Sequence, residues 1–362
     1  MRDTLVLSTV LTAVIMSCAP GAEVVPPSTP EAPMMEAPPA QAAPAKAAPA
    51  KAPPLTAEEQ KAAAEKEKLA RDFATLEEDH KSELNRLTPE LRASLKPLAE
   101  KTYPSTRAAL KAALAGAQRK PGHAARDAQR HPRETLEFFG LKPNQNVLEV
   151  GPGEGWYTEL LAPTLAKNGK LFVTQFDPNG SKDQRPTLYG LRTKYFLEEL
   201  PEVYRKVEPV VVDMAAPKFS LDGKLDSVLL IRGAHGLVNN KLLTPWLAEF
   251  HRALKARGIL GIEQHRAAAG KSADETSQHG YLPEAFVIEQ VEAAGFKLAA
   301  KSEINANPKD TKNYPEGVWS LPPTLREGEK DRDKYMGIGE SDRMTLRFVK
   351  VEAAGSAKTP AK

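Results

Sequence analysis

The residues from Val147 to Thr158, VLEVGPGEGWYT, hold the densest chemical potential in the sequence. An apolar run enters Gly151, Gly153 and Gly155, and a helix can open immediately afterwards. Glycine lets the backbone take positive φ and approach a ligand closely. The first turn of a helix offers unpaired N–H groups. A loop of this kind can hold a dinucleotide, a nucleoside or a phosphate. Its spacing, G-x-G-x-G, is not the G-x-G-x-x-G of nicotinamide oxidoreductases. A P-loop is excluded, because its Lys and Ser/Thr are absent. The competing reading is a tight turn that uses glycine for structure alone.

Further candidates follow later apolar runs. His235 lies in IRGAHG, and His265-Arg266 closes the run ILGIEQH. Loops at the carboxyl ends of parallel strands form the ligand crevice of α/β sheets. An imidazole titrates near neutrality, so His235 and His265 can accept a proton from a substrate nucleophile. The alternative for His235 is a hydrogen bond to a loop carbonyl. Arg266 suits an acidic substrate group or, equally, a surface salt bridge. The stretch from Asn305 to Arg326 is long, polar and proline-rich and contains Tyr314 and Trp319. Loops of this length are lids or disordered segments, and the prolines with the tryptophan favour an ordered lid. Arg126, Asp127, Arg130 and His131, ahead of the glycine loop, can close the other side or serve as ordinary surface charge.

The elements that position these residues alternate from about Lys120 onward, the pattern of an α/β domain with a mostly parallel sheet. Seven strands are expected, at Asn146–Val150, Lys170–Phe176, Pro209–Val212, Ser227–Ile231, Ile259–Gln264, Phe296–Ser302 and Thr345–Val349. Helices are expected at Thr158–Lys167, Lys241–Lys255 and Pro283–Ala294, the last two terminated by Gly258 and Gly295. The final strand arrives after a long loop rather than a helix, so it is expected to enter the sheet antiparallel.

On these residues the chain resembles class I methyltransferases that use S-adenosylmethionine. EVGPGEGWYT is similar to their motif I, and the element order is similar through the final pair of strands. RDAQRHPRETLEFFG, SEINANPKDTKNYPEGVWSLPPTLR and GESDRMTLRFVK resemble a bacterial family of predicted, often exported, methyltransferases, over about His123 to Val351. The resemblance implies a Rossmann-like fold and S-adenosylmethionine as cofactor. It places Glu149, Gly151, Gly153 and Gly155 along the methionine and ribose part. It puts Gln175 where an acid usually holds the ribose hydroxyls, with Asp177 two residues on, on the same side by strand alternation, as a substitute. Asp213 and Met214 match the pair at the adenine, although Asp213 equally suits a helix cap. Arg232 is placed to reach the cofactor carboxylate, and the loop bearing His235 faces the methyl group. Trp156 or Tyr157 is expected near the sulfonium, by cation–π contact.

The remaining segments are addresses and spacers. Residues 1–17 form a signal peptide, with Arg2 ahead of an apolar stretch too short to span a bilayer. Ile15-Met16-Ser17-Cys18 resembles a bacterial lipobox, which implies cleavage before Cys18 and lipid on its thiol. Ala19 leans toward sorting to the outer membrane, on its periplasmic side. Residues 18–55, rich in Pro, Ala and Lys, read as a tether. In 56–119 a capping box at Thr56 to Glu59 starts a helical stalk. Its stripe of Leu69, Phe73, Leu76, His80, Leu84 and Leu87 suits packing on its own domain better than a partner coil. Thr88-Pro89 restarts the helix, and Pro97 interrupts it. Residues 120–352 form the methyltransferase-like domain, and 353–362 a disordered tail.

The chain has 362 residues, 41% hydrophobic and 27% charged, enough for a sizeable core. Fifty basic against 47 acidic residues leave +3, too balanced to argue for nucleic acid. A single cysteine excludes an internal disulfide or a cysteine-rich zinc site, and no metal is expected. Two functions stay open: a tethered methyltransferase acting on an acceptor that the sequence does not name, and a non-catalytic envelope lipoprotein that uses the fold for binding.

Overall fold

The computed structural model describes Thr56–Val351. Cys18, the tether and the tail lie outside the described residues. Seven strands form one sheet: β1 (Asn146–Val150), β2 (Lys170–Gln175), β3 (Glu208–Val211), β4 (Leu225–Ile231), β5 (Leu254–His265), β6 (Phe296–Ser302) and β7 (Arg343–Lys350). Their order is β3-β2-β1-β4-β5-β7-β6. Every pairing is parallel except those of β7, which lies antiparallel between β5 and β6. The α/β sheet with an antiparallel last strand is therefore the one expected.

Alternation along the strands feeds two cores. Leu148, Val150, Val228, Leu230 and Ile262 face the helices Leu243–Ala253 and Glu284–Ala293. Val147, Val173 and Leu229 face the helices Thr158–Leu165 and Arg185–Glu199. The strand order turns outward in both directions from β1 and β4, which opens a crevice at their carboxyl ends.

Two expectations about breakers fail. Gly258 does not end a helix. The helix Leu243–Ala253 runs straight into β5, which bulges after Leu254, because Leu225 faces Leu254 while Ser227 faces Ile259. A bulge absorbs extra residues without breaking the ladder on either side. Nor does Pro97 interrupt its helix, which spans Pro89–Glu100. Pro97 is exposed, so the carbonyl it leaves unpaired can meet water. Gly295 ends its helix as expected, at φ 91°.

The segment read as a stalk lies on the domain. Its helices α1 (Ala57–Arg86), α2 (Pro89–Glu100) and α3 (Thr106–Ala115) begin at the caps Thr56, Thr88 and Ser105. Leu69 and Phe73 pack on Leu188, and Leu87, Leu95 and Leu110 join the core beneath Leu160 and Leu161. His80 stacks on Tyr195 with ring centroids 4.2 Å apart and pairs with Glu199 at 3.0 Å, an interfacial role. Among the described residues no helix is long and apolar enough to cross a membrane.

Candidate active site

A cleft of about 530 Å³ opens at the carboxyl ends of β1, β2 and β4. Gly151 and Gly153 form its floor at φ 63° and 62°. A Cβ on either would point into open space, so both glycines leave room that a side chain would fill. The loop is pinned from β2, where Thr174 Oγ1 accepts from the Gly151 N–H at 2.8 Å. Gln175, buried at the end of β2, lines the cleft and makes no side-chain hydrogen bond to the described residues. Phe176, Val212, Met214 and Trp246 supply an apolar wall, and the Met214 carbonyl accepts from Trp246 Nε1 at 2.9 Å. Of the residues that the resemblance places at the cofactor, Gly151, Gly153, Gln175 and Met214 line this one cleft; Arg232 lines it too, from the end of β4.

The other expected cofactor residues are not in the lining, each for a local reason. Glu149 alternates onto the opposite face of β1, under the helix Thr158–Leu165, and accepts from Thr158 Oγ1 at 2.7 Å. Burial, against the Thr158 bond, pushes its carboxyl up to about 7. Gly155 faces helix Arg185–Glu199 instead of the cleft. A Cβ there would fall inside the Phe196 ring, so this glycine serves close packing. Gly155→Ala is expected to destabilise the fold by roughly 2 kcal/mol, through overpacking at a positive φ. Denaturant titration checks it, and an unchanged midpoint would disprove the packing argument.

Asp177 is not carried onto the cleft side, because β2 ends at Gln175 and strand alternation stops there. Asp177 is exposed in the following turn, where Oδ1 accepts from the Asn179 N–H at 2.9 Å. Asp213 does the same for Ala215 at 2.9 Å and is exposed. Short Asp side chains close such turns on their own backbone. Among the described residues no carboxylate lines the cleft, whereas Arg192 and Arg232 do.

His235 and His265 sit beside one another, ring centroids 5.9 Å apart, and neither lines the cleft. His235 packs edge-on to Trp319 at 5.8 Å, and Trp319 is the lining residue. The short helix Ala234–Asn239 starts one residue before His235 and turns it behind the β4 loop. His265 Nδ1 is 2.5 Å from Ser341 Oγ. Burial lowers the pKa of both rings; for His265 the nearby charges of Arg232, Arg343 and Arg130 push the same way.

Trp156 and Tyr157 are also buried away from the cleft. Arg130 lies 4.8 Å over the Trp156 ring, and Tyr157 donates to Glu263 at 2.9 Å. Arg266 is spoken for by Asp342 at 2.9 Å, Glu303 at 2.6 Å and Glu284 at 3.2 Å, the salt-bridge alternative. The lid reading fares better: the turn Gly317–Ser320 carries Trp319 onto the cleft, braced by Arg326 at 4.8 Å from its ring.

Sequence reasoning missed Tyr189, Arg192 and Thr193, which line the cleft from helix Arg185–Glu199. The signal was there: Arg185-Pro186 opens the helix, and Leu188, Leu191 and Tyr195 recur at helical spacing. Trp246 was missed as well, since it reads as a core residue of its helix.

No family model matches the chain, and no curated protein matches it in sequence. Solved structures are similar to it in part. One is a SAM dependent methyltransferase from Aquifex aeolicus, 19% identical over 63% of this chain and 93% of that one, with a TM-score of 0.42. Another is the cyclase SpnF, 14% identical over 70% of this chain and all 100% of that one, TM-score 0.47. A third is a 1,6-didemethyltoxoflavin-N1-methyltransferase from Burkholderia thailandensis, with bound 1,6-didemethyltoxoflavin and S-adenosylhomocysteine. It is 15% identical over 64% of this chain and 84% of that one, TM-score 0.37. Each is a likeness of architecture.

Proposed function

We propose that this chain is an S-adenosylmethionine-dependent methyltransferase, tethered to the bacterial cell envelope by lipid on Cys18. The observation that carries the reading is the floor of the cleft. Two glycines in left-handed conformation leave open space at the end of β1, beside an unbonded Gln175 amide and an apolar wall. That combination suits a nucleoside with a charged tail. The glycine backbone admits the tail, the Gln175 amide offers a donor and an acceptor to a hydroxyl pair, and Phe176, Val212, Met214 and Trp246 keep water from a flat base. The cofactor supplies an electrophilic methyl on a sulfonium. The protein's contribution is to hold the acceptor in line with it, which works by proximity and orientation. Trp319 closes the cleft over that point. His235, edge-on to Trp319 at 5.8 Å, is proposed to take up a proton where the acceptor must lose one.

Calorimetric titration of S-adenosylmethionine and S-adenosylhomocysteine into the full-length protein tests the reading. Micromolar binding is expected. Absence of both heat and a thermal shift at millimolar ligand would sink it. A non-catalytic binding module is then the better account, and one observation already favours it: the cleft has no acid for the ribose among the described residues.

The envelope part of the proposal rests on the lipobox-like run ending at Cys18, ahead of a Pro/Ala tether. Cells fed a tagged fatty acid are expected to label the wild type and not Cys18→Ala. Equal labelling of the two would remove the anchor.

A further inference from the structure

Three stretches far apart in sequence converge at the carboxyl end of β5 and the start of β7. Arg130 Nε reaches both oxygens of Glu340 at 2.8 Å. Arg343 donates to Glu340 at 3.0 Å and to the Gln129 carbonyl at 2.6 Å, and its Nε is 2.8 Å from Glu263. Tyr157 donates to the other Glu263 oxygen. Arg130, Arg343, Glu263 and Glu340 are each at most 5% exposed. The two buried arginines are thus matched by two buried glutamates.

Arg232 is the third arginine of this cluster, and among the described residues it has no carboxylate within hydrogen-bond distance. Its guanidinium comes no nearer than 3.9 Å to Glu340, whose oxygens are already taken. Its backbone is held at φ 55°, a conformation that costs a non-glycine residue energy, and its N–H is tied to the Glu263 carbonyl at 2.6 Å. The side chain is 24% exposed and lines the cleft. Burial, followed by the charge of Arg130, lowers its pKa to about 10, against the pull of Glu263 and Glu340. The same surplus of positive charge helps keep His265 neutral. Arg192, the other charged residue of the lining, is also cationic.

We propose that Arg232 is a binding site for an anionic oxygen group on the methyl acceptor, a carboxylate or a phosphate. The assignment to the acceptor rests on the methyltransferase reading above. It follows from direction. Gly151, Gly153 and Gln175 line the cleft from the ends of β1 and β2, whereas the Arg232 guanidinium extends toward Glu340, just ahead of β7, and Trp319 lines the same cleft. An anion there supplies the missing counter-charge, and a partly buried guanidinium binds such groups through paired, charge-assisted hydrogen bonds. The acceptor is accordingly an organic acid or a phosphate ester.

The test uses full-length protein saturated with S-adenosylhomocysteine, titrated with benzoate and, separately, with inorganic phosphate. At least one is expected to bind in the millimolar range, and the pair tells carboxylate from phosphate. Its dissociation constant should rise at least tenfold in Arg232→Leu. It should also rise in Arg232→Asn, which tolerates the backbone conformation and guards against a folding defect. S-adenosylhomocysteine and 5′-methylthioadenosine should bind both variants as they bind the wild type. The proposal is overturned if neither anion binds, or if anion binding survives both substitutions. It is equally overturned if S-adenosylhomocysteine weakens tenfold in the variants while 5′-methylthioadenosine does not; the arginine would then hold the cofactor's own carboxylate. If the wild type binds no S-adenosylhomocysteine, the methyltransferase reading fails by itself, and the anion titration without it still reports the Arg232 site.

Discussion

Glu149→Gln will make the folded protein more stable above neutral pH, by roughly 3 kcal/mol at about pH 8, and change it little near pH 4.5. Glu149 is 3% exposed under the helix Thr158–Leu165, and its side chain is hydrogen-bonded by Thr158. Burial raises its pKa from 4.5 to about 7. Below the lower value, both the folded and the unfolded chain hold the proton, and the group contributes nothing to pH dependence. Between the two values the folded state alone holds it, so stability falls as pH rises, by about 1.4 kcal/mol per pH unit. Above about 7 the whole cost is present. Glutamine keeps the acceptor for Thr158 and removes the titration. Denaturant unfolding of both proteins across this range gives the difference directly, and a difference that stays flat with pH would refute it. The same position bears on ligand binding. A cationic ligand beyond the glycine loop favours the charged carboxylate, so wild-type binding at pH 7 should release protons and show heats that vary with buffer; the variant should not.

Gly153→Arg should weaken S-adenosylmethionine binding by at least about a hundredfold while leaving the protein folded. The backbone at Gly153 has φ 62°, and a Cβ there meets nothing within 4 Å. Folding therefore bears only the local cost of a left-handed non-glycine residue, about 1–2 kcal/mol. Binding loses far more, because a long cation then occupies the floor of the cleft and repels a sulfonium. Gly155→Ala makes the contrast, since there the loss falls on packing against Phe196 and stability suffers instead of affinity. Circular dichroism with calorimetry on the two variants separates the effects. A Gly153→Arg protein that still binds with wild-type affinity would show that the cofactor does not lie on this loop.

The local elements were legible because their causes are local. Short strand-like runs alternating with helical segments placed all seven strands, and caps such as Thr56 and Thr88 placed helix starts. Glycines with open space, Gly151 and Gly153, could be read as a ligand floor from their place after β1. The errors lie where one residue type serves two ends. Asp177 and Asp213 close turns on their own backbone, and nothing in their spacing distinguishes that from binding a sugar or a base. Gly155 is glycine because of Phe196, which is brought to it by the helix Arg185–Glu199, an element absent from the sequence expectation.

The chain's order of residues determines its alternation, its sheet and the loop that follows β1, since backbone hydrogen bonding and side-chain burial repeat at fixed intervals. Charge pairing has no interval. Arg130 and Glu340 are 210 positions apart, and Arg185 reaches Glu65 across 120. Only the packed structure decides that Arg130 and Arg343 are paired at 2.8–3.0 Å while Arg232 stands 3.9 Å from Glu340, because a buried charge is satisfied by whichever carboxylates the fold carries close to it, wherever they stand in the chain.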